Sequence, residues 1–191
     1  MRLHGYFRSS AAFRVRIALN LKGVSVEHAF RHLRRNEQIA PDYLALNPQG
    51  QVPTFETDSG DVLVQSLAII QWLDETFPDP PLMPGNSLRR ARIMAFALSI
   101  AADIHPVQNL KVLNRLRSMG HDEKTVMEWA AWINRDGLAA SEKLIAEEAG
   151  PFAFGAAPTL ADLCLVPQMY NARRFGVDVT ATSLNSFSFS I

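Results

Sequence analysis

Residues 1–23 read MRLHGYFRSSAAFRVRIALNLKG, and this stretch decides the fold. Arg2–Tyr6 reads as a short strand. From Ser10 to Lys22 the residues Phe13, Ile17, Ala18 and Leu21 recur at helical spacing. Gly23 stands where a helix C-cap takes a left-handed backbone. The junction between strand and helix carries Ser9 and Ser10, with Arg8, Arg14 and Arg16 close by. Taken alone, such a junction is an N-cap followed by a basic helix face.

Outward from it, Val24–Arg31 reads as a second strand. Val52–Glu56 and Asp61–Val64 are short apolar runs joined by T-D-S-G, a hairpin signal. Gln65–Phe77 returns to helical spacing through Leu67, Ile70, Leu73 and Phe77. The order is βαβ, then ββα. Pro78, Pro80, Pro81 and Pro84 follow, a density neither helix nor strand survives. A linker is therefore expected over 78–85, between a first domain over 1–80 and a second over 86–191. The second half is helical almost throughout, with candidate helices at 87–119 (kinked at Pro106), at 121–149 and from Thr159. The fold class is α/β followed by all-α.

Composition narrows the function. Nineteen basic and nineteen acidic residues cancel, which removes the charge signature of nucleic-acid binding. Hydrophobic residues make up 48% and charged residues 20%, ordinary for a soluble globular protein. The longest nearly apolar run, 94–102, is about half of a bilayer span. Arg2, His4 and Arg8 interrupt any secretory apolar region. A single cysteine, Cys164, lies in the apolar run L-C-L-V and reads as a buried thiol in a reducing, cytoplasmic compartment. The five histidines show no metal-ligand spacing, so no metal is expected.

Five motifs then carry a resemblance: R-S-S-x-x-x-R-V-R-I-A-L, A-L-N-P-Q-G-Q-V-P, Q-S-L-A-I-I, H-P-V-Q-N-L-K-V-L and T-L-A-D-L-C-L-V-P-Q. Together they resemble the zeta-class glutathione transferases, which include maleylacetoacetate and maleylpyruvate isomerases. The resemblance runs from residue 1 to about 180. It implies an N-terminal thioredoxin-like domain that binds glutathione, an all-helical glutathione-transferase domain on the substrate side, and a homodimer. It also implies a cis peptide bond before Pro53, which bares the Val52 backbone for pairing with the cysteinyl part of glutathione, as strand addition does. Gln65 and Ser66 would open a helix whose N-terminus receives the γ-glutamyl carboxylate. Gln38 aligns with a position that reaches the glycyl end. Thr159 and Asp162 form a capping motif whose loss is expected to cost about 1 kcal/mol.

The resemblance also assigns the chemistry. Glutathione must be ionised to attack, and a free thiol of pKa about 8.5 is mostly protonated at neutral pH. Ser9 is expected to donate to the sulfur, with Ser10, Ala11 and backbone N–H groups beside it. Ala11 and Phe13 stand where the usual pattern has cysteine and an aromatic or histidine residue. The substrate class is a cis-unsaturated dicarboxylate, which calls for fixed cations. Arg8, Arg174 and Lys111 are the candidates, and His105 and Asn109, which lie with Lys111 on about two turns of helix around Pro106, are expected among the residues that bind glutathione. Arg14 and Arg16 cannot both face one site, and one of them is expected to be a structural ion-pair partner. The alternatives are a glutathione transferase, dehalogenase or peroxidase acting on small acids, and a glutathione-binding protein of little activity. The last is motivated by the ending A-T-S-L-N-S-F-S-F-S-I, where zeta-like chains continue with a proline–tyrosine segment and a further helix.

Overall fold

The computed structural model describes residues 1–180 and 184. The altered tail therefore lies outside the described residues, Thr180 and Leu184 excepted. The backbone divides into two compact units, Met1–Pro81 and Leu82–Ile191.

The first unit runs β1 (Arg2–Gly5), α1 (Ser10–Lys22), β2 (Glu27–Phe30), α2 (Pro41–Leu46), β3 (Thr54–Glu56), β4 (Val62–Val64) and α3 (Ser66–Thr76). Its sheet has the order β2-β1-β3-β4. β1 is parallel to β2, as the α1 crossover requires, while β3 is antiparallel to β1 and to β4. Gly23 closes α1 in the left-handed conformation (φ 65°), its N–H on the Asn20 carbonyl and the next N–H, of Val24, on Leu19. α2 carries no periodic signal in the sequence; Pro41 at its first position starts it.

α1 and α3 bury Ala12, Val15, Ala18, Ile69, Ile70 and Leu73, and Leu3 and Phe55 supply the sheet side of the core. Each fully buried Leu, Ile or Val contributes roughly 1.5–3 kcal/mol. Lys22 closes the far end of the helix pair. Its ammonium is wholly buried, 2.6 Å from Asp74 Oδ1 and 2.6 Å from the Pro80 carbonyl.

The second unit contains α4 (Ser87–Leu98), α5 (Leu110–Ser118), α6 (Glu123–Leu144) and α7 (Leu160–Arg174). The expected single helix over 87–119 is two helices. A π turn over Ser99–Ile104 and a 3-10 turn over Pro106–Gln108 separate them. Pro106 has no N–H for the helical ladder, and Asn109 starts a new helix by accepting the N–H groups of Lys111 and Val112. Gly137 lets α6 pass the π turn, because a Cβ there would lie 2.4 Å from Ile104 Cγ1. Asn134 of α6 accepts a 2.6 Å hydrogen bond from Gln168 of α7 within the core. Among the described residues no helix is long and apolar enough to cross a membrane.

The cap at Thr159 holds more than the sequence implies. Asp162 is fully buried and accepts from the Thr159 N–H, the Thr159 hydroxyl and the Ala153 N–H. It therefore ties the loop before α7 to its first turn. Asp162→Ala leaves those buried donors unmatched, so urea unfolding at neutral pH is expected to show a loss of about 2–3 kcal/mol rather than the 1 of a simple cap. Burial also pushes the Asp162 carboxyl above its usual value of 3.8. A folded value above the unfolded one gives a contribution that is complete at low pH and lost as pH rises through the folded value. Asp162→Asn is expected to remove that segment of the stability–pH curve.

Candidate active site

Strand directions bring the candidate segments of the first unit together. His4 pairs with Thr54, and Thr54 pairs with Val64. The C-terminal ends of β1 and β4 and the N-terminal end of β3 therefore lie at one edge of the sheet. The turn into α1, the Val52-Pro53 lead into β3 and the turn into α3 all sit at that edge. So does the segment after β2, since Gly5 pairs with Phe30. Ligands of open α/β sheets bind at such an edge, where strands end and helices begin.

Ser9 is the N-cap of α1. Its oxygen accepts the Ala12 N–H at 3.2 Å, and its own N–H is on the Tyr6 carbonyl. An oxygen that accepts from the backbone keeps its proton for another partner. Ser9 and Ala11 are half-buried, Ser10 is buried as the first residue of α1, and Arg8 is exposed. Arg16 is held by main-chain carbonyls. Its guanidinium donates to Tyr6 O and Phe7 O, at 3.5 and 3.3 Å, and lies over the Phe13 ring. Arg16 thus braces the main chain that leads into Ser9.

The Val52-Pro53 bond is cis. Among the described residues no hydrogen bond uses the Val52 N–H or C=O. The preceding residue is clamped: Gln51 O accepts from the Tyr43 hydroxyl at 2.7 Å and from Asn47 Nδ2 at 2.8 Å. Both side chains also reach Thr54 Oγ1, and Asn47 Oδ1 takes the Gln49 N–H to close the turn. Burial pushes the Tyr43 phenol above its ordinary value, which keeps it a neutral donor. Gln38 lies in a 3-10 turn over Glu37–Ile39, and its buried Oε1 has no hydrogen bond among the described residues.

Gln65 adopts φ 70° and ψ 119°, a positive φ that costs a residue with a side chain roughly 1–3 kcal/mol. Its side chain turns to Gln49 Oε1 at 2.8 Å, and no side chain caps the first turn of α3. The N–H groups of that turn stay open at the positive end of the helix. Ser66 is buried, and its oxygen accepts from Arg14 Nη1 at 3.3 Å.

In the second unit His105 is half-buried between the π and 3-10 turns. The Asn109 carbonyl oxygen is spent on capping α5, so only its amide N–H₂ remains for a ligand. Lys111 is exposed. Arg174 is exposed at the last turn of α7, its guanidinium 5.8 Å from the Phe175 ring centre. His105, Asn109 and Lys111 do not share a continuous helix face, because the turns around Pro106 interrupt it.

Tyr43 and Arg14 escape a reading of the sequence. Tyr43 lies in a helix too short for a period, and Arg14 is one of several arginines on a basic stretch. The first unit offers a ligand three kinds of polar group at this edge: the open N–H and C=O of Val52, the uncapped turn at Ser66 and the Ser9 hydroxyl. Tyr43→Phe keeps the ring and removes only the hydroxyl clamp on Gln51 and Thr54. It is expected to cost about 1–2 kcal/mol in urea unfolding and to weaken glutathione in calorimetric titration.

Residues 3–81 match the family model described as glutathione S-transferase, N-terminal domain. The chain is 48% identical over 184 residues to maleylacetoacetate isomerase of Pseudomonas aeruginosa, covering 95% of this chain and 85% of that one. A holo structure of maleylpyruvate isomerase, a bacterial zeta-class glutathione S-transferase, superimposes with a TM-score of 0.94 at 41% identity, covering 98% and 90% of the two chains. Maleylacetoacetate isomerase of Anaeromyxobacter dehalogenans, with dicarboxyethyl glutathione and citrate in its active site, gives a TM-score of 0.86 at 43% identity over 97% and 86%. At such identity along nearly its whole length, this chain belongs to the zeta-class glutathione S-transferase family, with the maleylacetoacetate and maleylpyruvate isomerases.

Proposed function

We propose that the protein is a glutathione-dependent isomerase that converts the cis double bond of maleylacetoacetate or maleylpyruvate to trans. In this reading the first unit holds glutathione and the second faces the substrate. The observation that carries it is the single sheet edge where Ser9, the open Val52 backbone and Ser66 all emerge. The dicarboxyethyl glutathione held by the Anaeromyxobacter relative fits the same chemistry, since its sulfur is bonded to a saturated four-carbon dicarboxylate.

Glutathione, when bound, would supply a thiolate able to add to one alkene carbon, which makes the former double bond single and free to rotate before the thiolate leaves again. The residues of this chain make that possible. Ser9, with its oxygen fixed by the Ala12 N–H, donates a hydrogen bond to the sulfur and favours the ionised form. The positive end of α1 acts in the same direction, with Ser10 and Ala11 presenting the first-turn backbone. The Val52 N–H and C=O, followed by Pro53, hold the cysteinyl part, Gln65 and Ser66 the γ-glutamyl carboxylate, and Gln38 the glycyl end. Arg8, Arg174 and Lys111 bind the substrate carboxylates, and Arg8 and Arg174 stabilise the charge that develops on the carbonyl oxygen conjugated with the alkene. His105 and the Asn109 amide add polar contacts. The single buried Cys164 and a requirement for reduced glutathione suit the cytoplasm.

The test is incubation with maleylacetoacetate and glutathione while the enone absorbance is followed. A glutathione-dependent change is expected, and none would sink the assignment. Turnover of chloroacids without turnover of maleyl substrates would place the protein among the transferases instead. Ser9→Ala is expected to lower kcat about a hundredfold, by analogy with loss of one donor to a developing anion.

A homodimer fits the second unit. Leu88, Ala91, Ala95 and Leu98 form an exposed small and apolar stripe on α4. Arg90 and Arg92 flank it, whereas Arg89 turns inward to the Phe154 carbonyl and Glu148. Light scattering is expected to give twice the chain mass for the parent protein. Leu98→Glu is expected to shift it toward the monomer.

A further inference from the structure

The α1 arginine that the proposed mechanism leaves unused is the most deeply buried charged side chain near the sheet edge. Arg14 is only 2% exposed, yet its guanidinium ends on the hydroxyl of Ser66, the first residue of α3. We propose that Arg14 is a positioning residue for anion recognition: by donating to Ser66 Oγ it aims the Ser66 proton at the ligand carboxylate and places a fixed cation behind it. This rests on the glutathione reading above and adds a residue to it.

The argument starts from the hydroxyl. A serine has one proton and two acceptor sites. With Arg14 Nη1 donating at 3.3 Å, the oxygen is engaged as acceptor and its proton can point at a carboxylate seated on the first-turn N–H groups of α3. A hydroxyl that accepts from a cation is polarised and becomes the stronger donor. Water is excluded from Arg14, so its charge is poorly screened where Ser66 meets the ligand. Arg14 also grows from α1, the helix that Ser9 caps. One side chain therefore links the helix that serves the sulfur to the helix that serves the carboxylate, and it fixes their spacing. A lysine has the charge but not the planar fork, so it cannot hold both orientation and position.

The experiment uses the full chain and two probes: glutathione, and its analogue in which γ-aminobutyrate replaces the γ-glutamyl residue and so removes the α-carboxylate while keeping the amine. Affinities are read by calorimetry and, for weak binding, by NMR titration. Arg14→Met is expected to weaken glutathione about tenfold, in line with loss of a charged hydrogen bond. It is expected to leave the analogue unchanged and to raise the KM for glutathione more than it lowers kcat. The double variant Arg14→Met/Ser66→Ala is expected to bind no more weakly than Ser66→Ala, because the two act through one contact. Where Arg14→Met does not fold, Arg14→Lys carries the comparison, with a loss of about threefold or more confined to glutathione. Equal losses for both probes, additive effects with Ser66→Ala, or no loss in a folded variant would overturn the proposal. Failure of the parent protein to bind glutathione at all would overturn the underlying assignment instead.

Discussion

Strand direction in a small sheet is the constraint on which the rest depends. β1 is interior, parallel to β2 through the α1 crossover and antiparallel to β3. β4 returns antiparallel to β3 and so runs with β1. Two helices that follow parallel strands begin at the same edge, and the strand between them starts there. Ser9, Val52 and Ser66 thereby emerge at one edge of the sheet. Backbone hydrogen bonding has already gathered three kinds of donor: a capping hydroxyl, an open peptide and a helix N-terminus.

Each of these donors is held by polar groups that are themselves buried or braced. Tyr43 and Asn47 clamp Gln51 from two sides, Arg16 holds the carbonyls before Ser9, and Arg14 holds Ser66. Burying such groups is costly unless they are hydrogen-bonded. Here the bonds they make are the ones that fix the main chain next to the site. Gln65 pays in the same way, keeping a positive φ that leaves the first turn of α3 uncapped. In the second unit Asp162 and the Asn134–Gln168 pair hold loop to helix and helix to helix, so buried polarity serves architecture there.

The helix α1, its Gly23 cap and the β3–β4 hairpin were legible in the sequence because each is written in local terms: a period, a left-handed glycine, a turn. The capping pair Thr159 and Asp162 was legible for the same reason. What tertiary structure alone decided depends on partners distant along the chain. Asp162 gained a third donor from Ala153, Arg16 was set on the carbonyls of Tyr6 and Phe7, and Arg14 was buried against Ser66, fifty-two positions away. The helix broken around Pro106 shows the same division. Proline announces that the ladder is interrupted and Asn109 caps the new helix, but the π turn before them packs against α6 at Gly137. The sequence by itself determined which elements form and which residue types sit at their ends, since those follow from backbone sterics. Which of those residues meet was left to strand order and close packing, because contact between separate elements has no local signature.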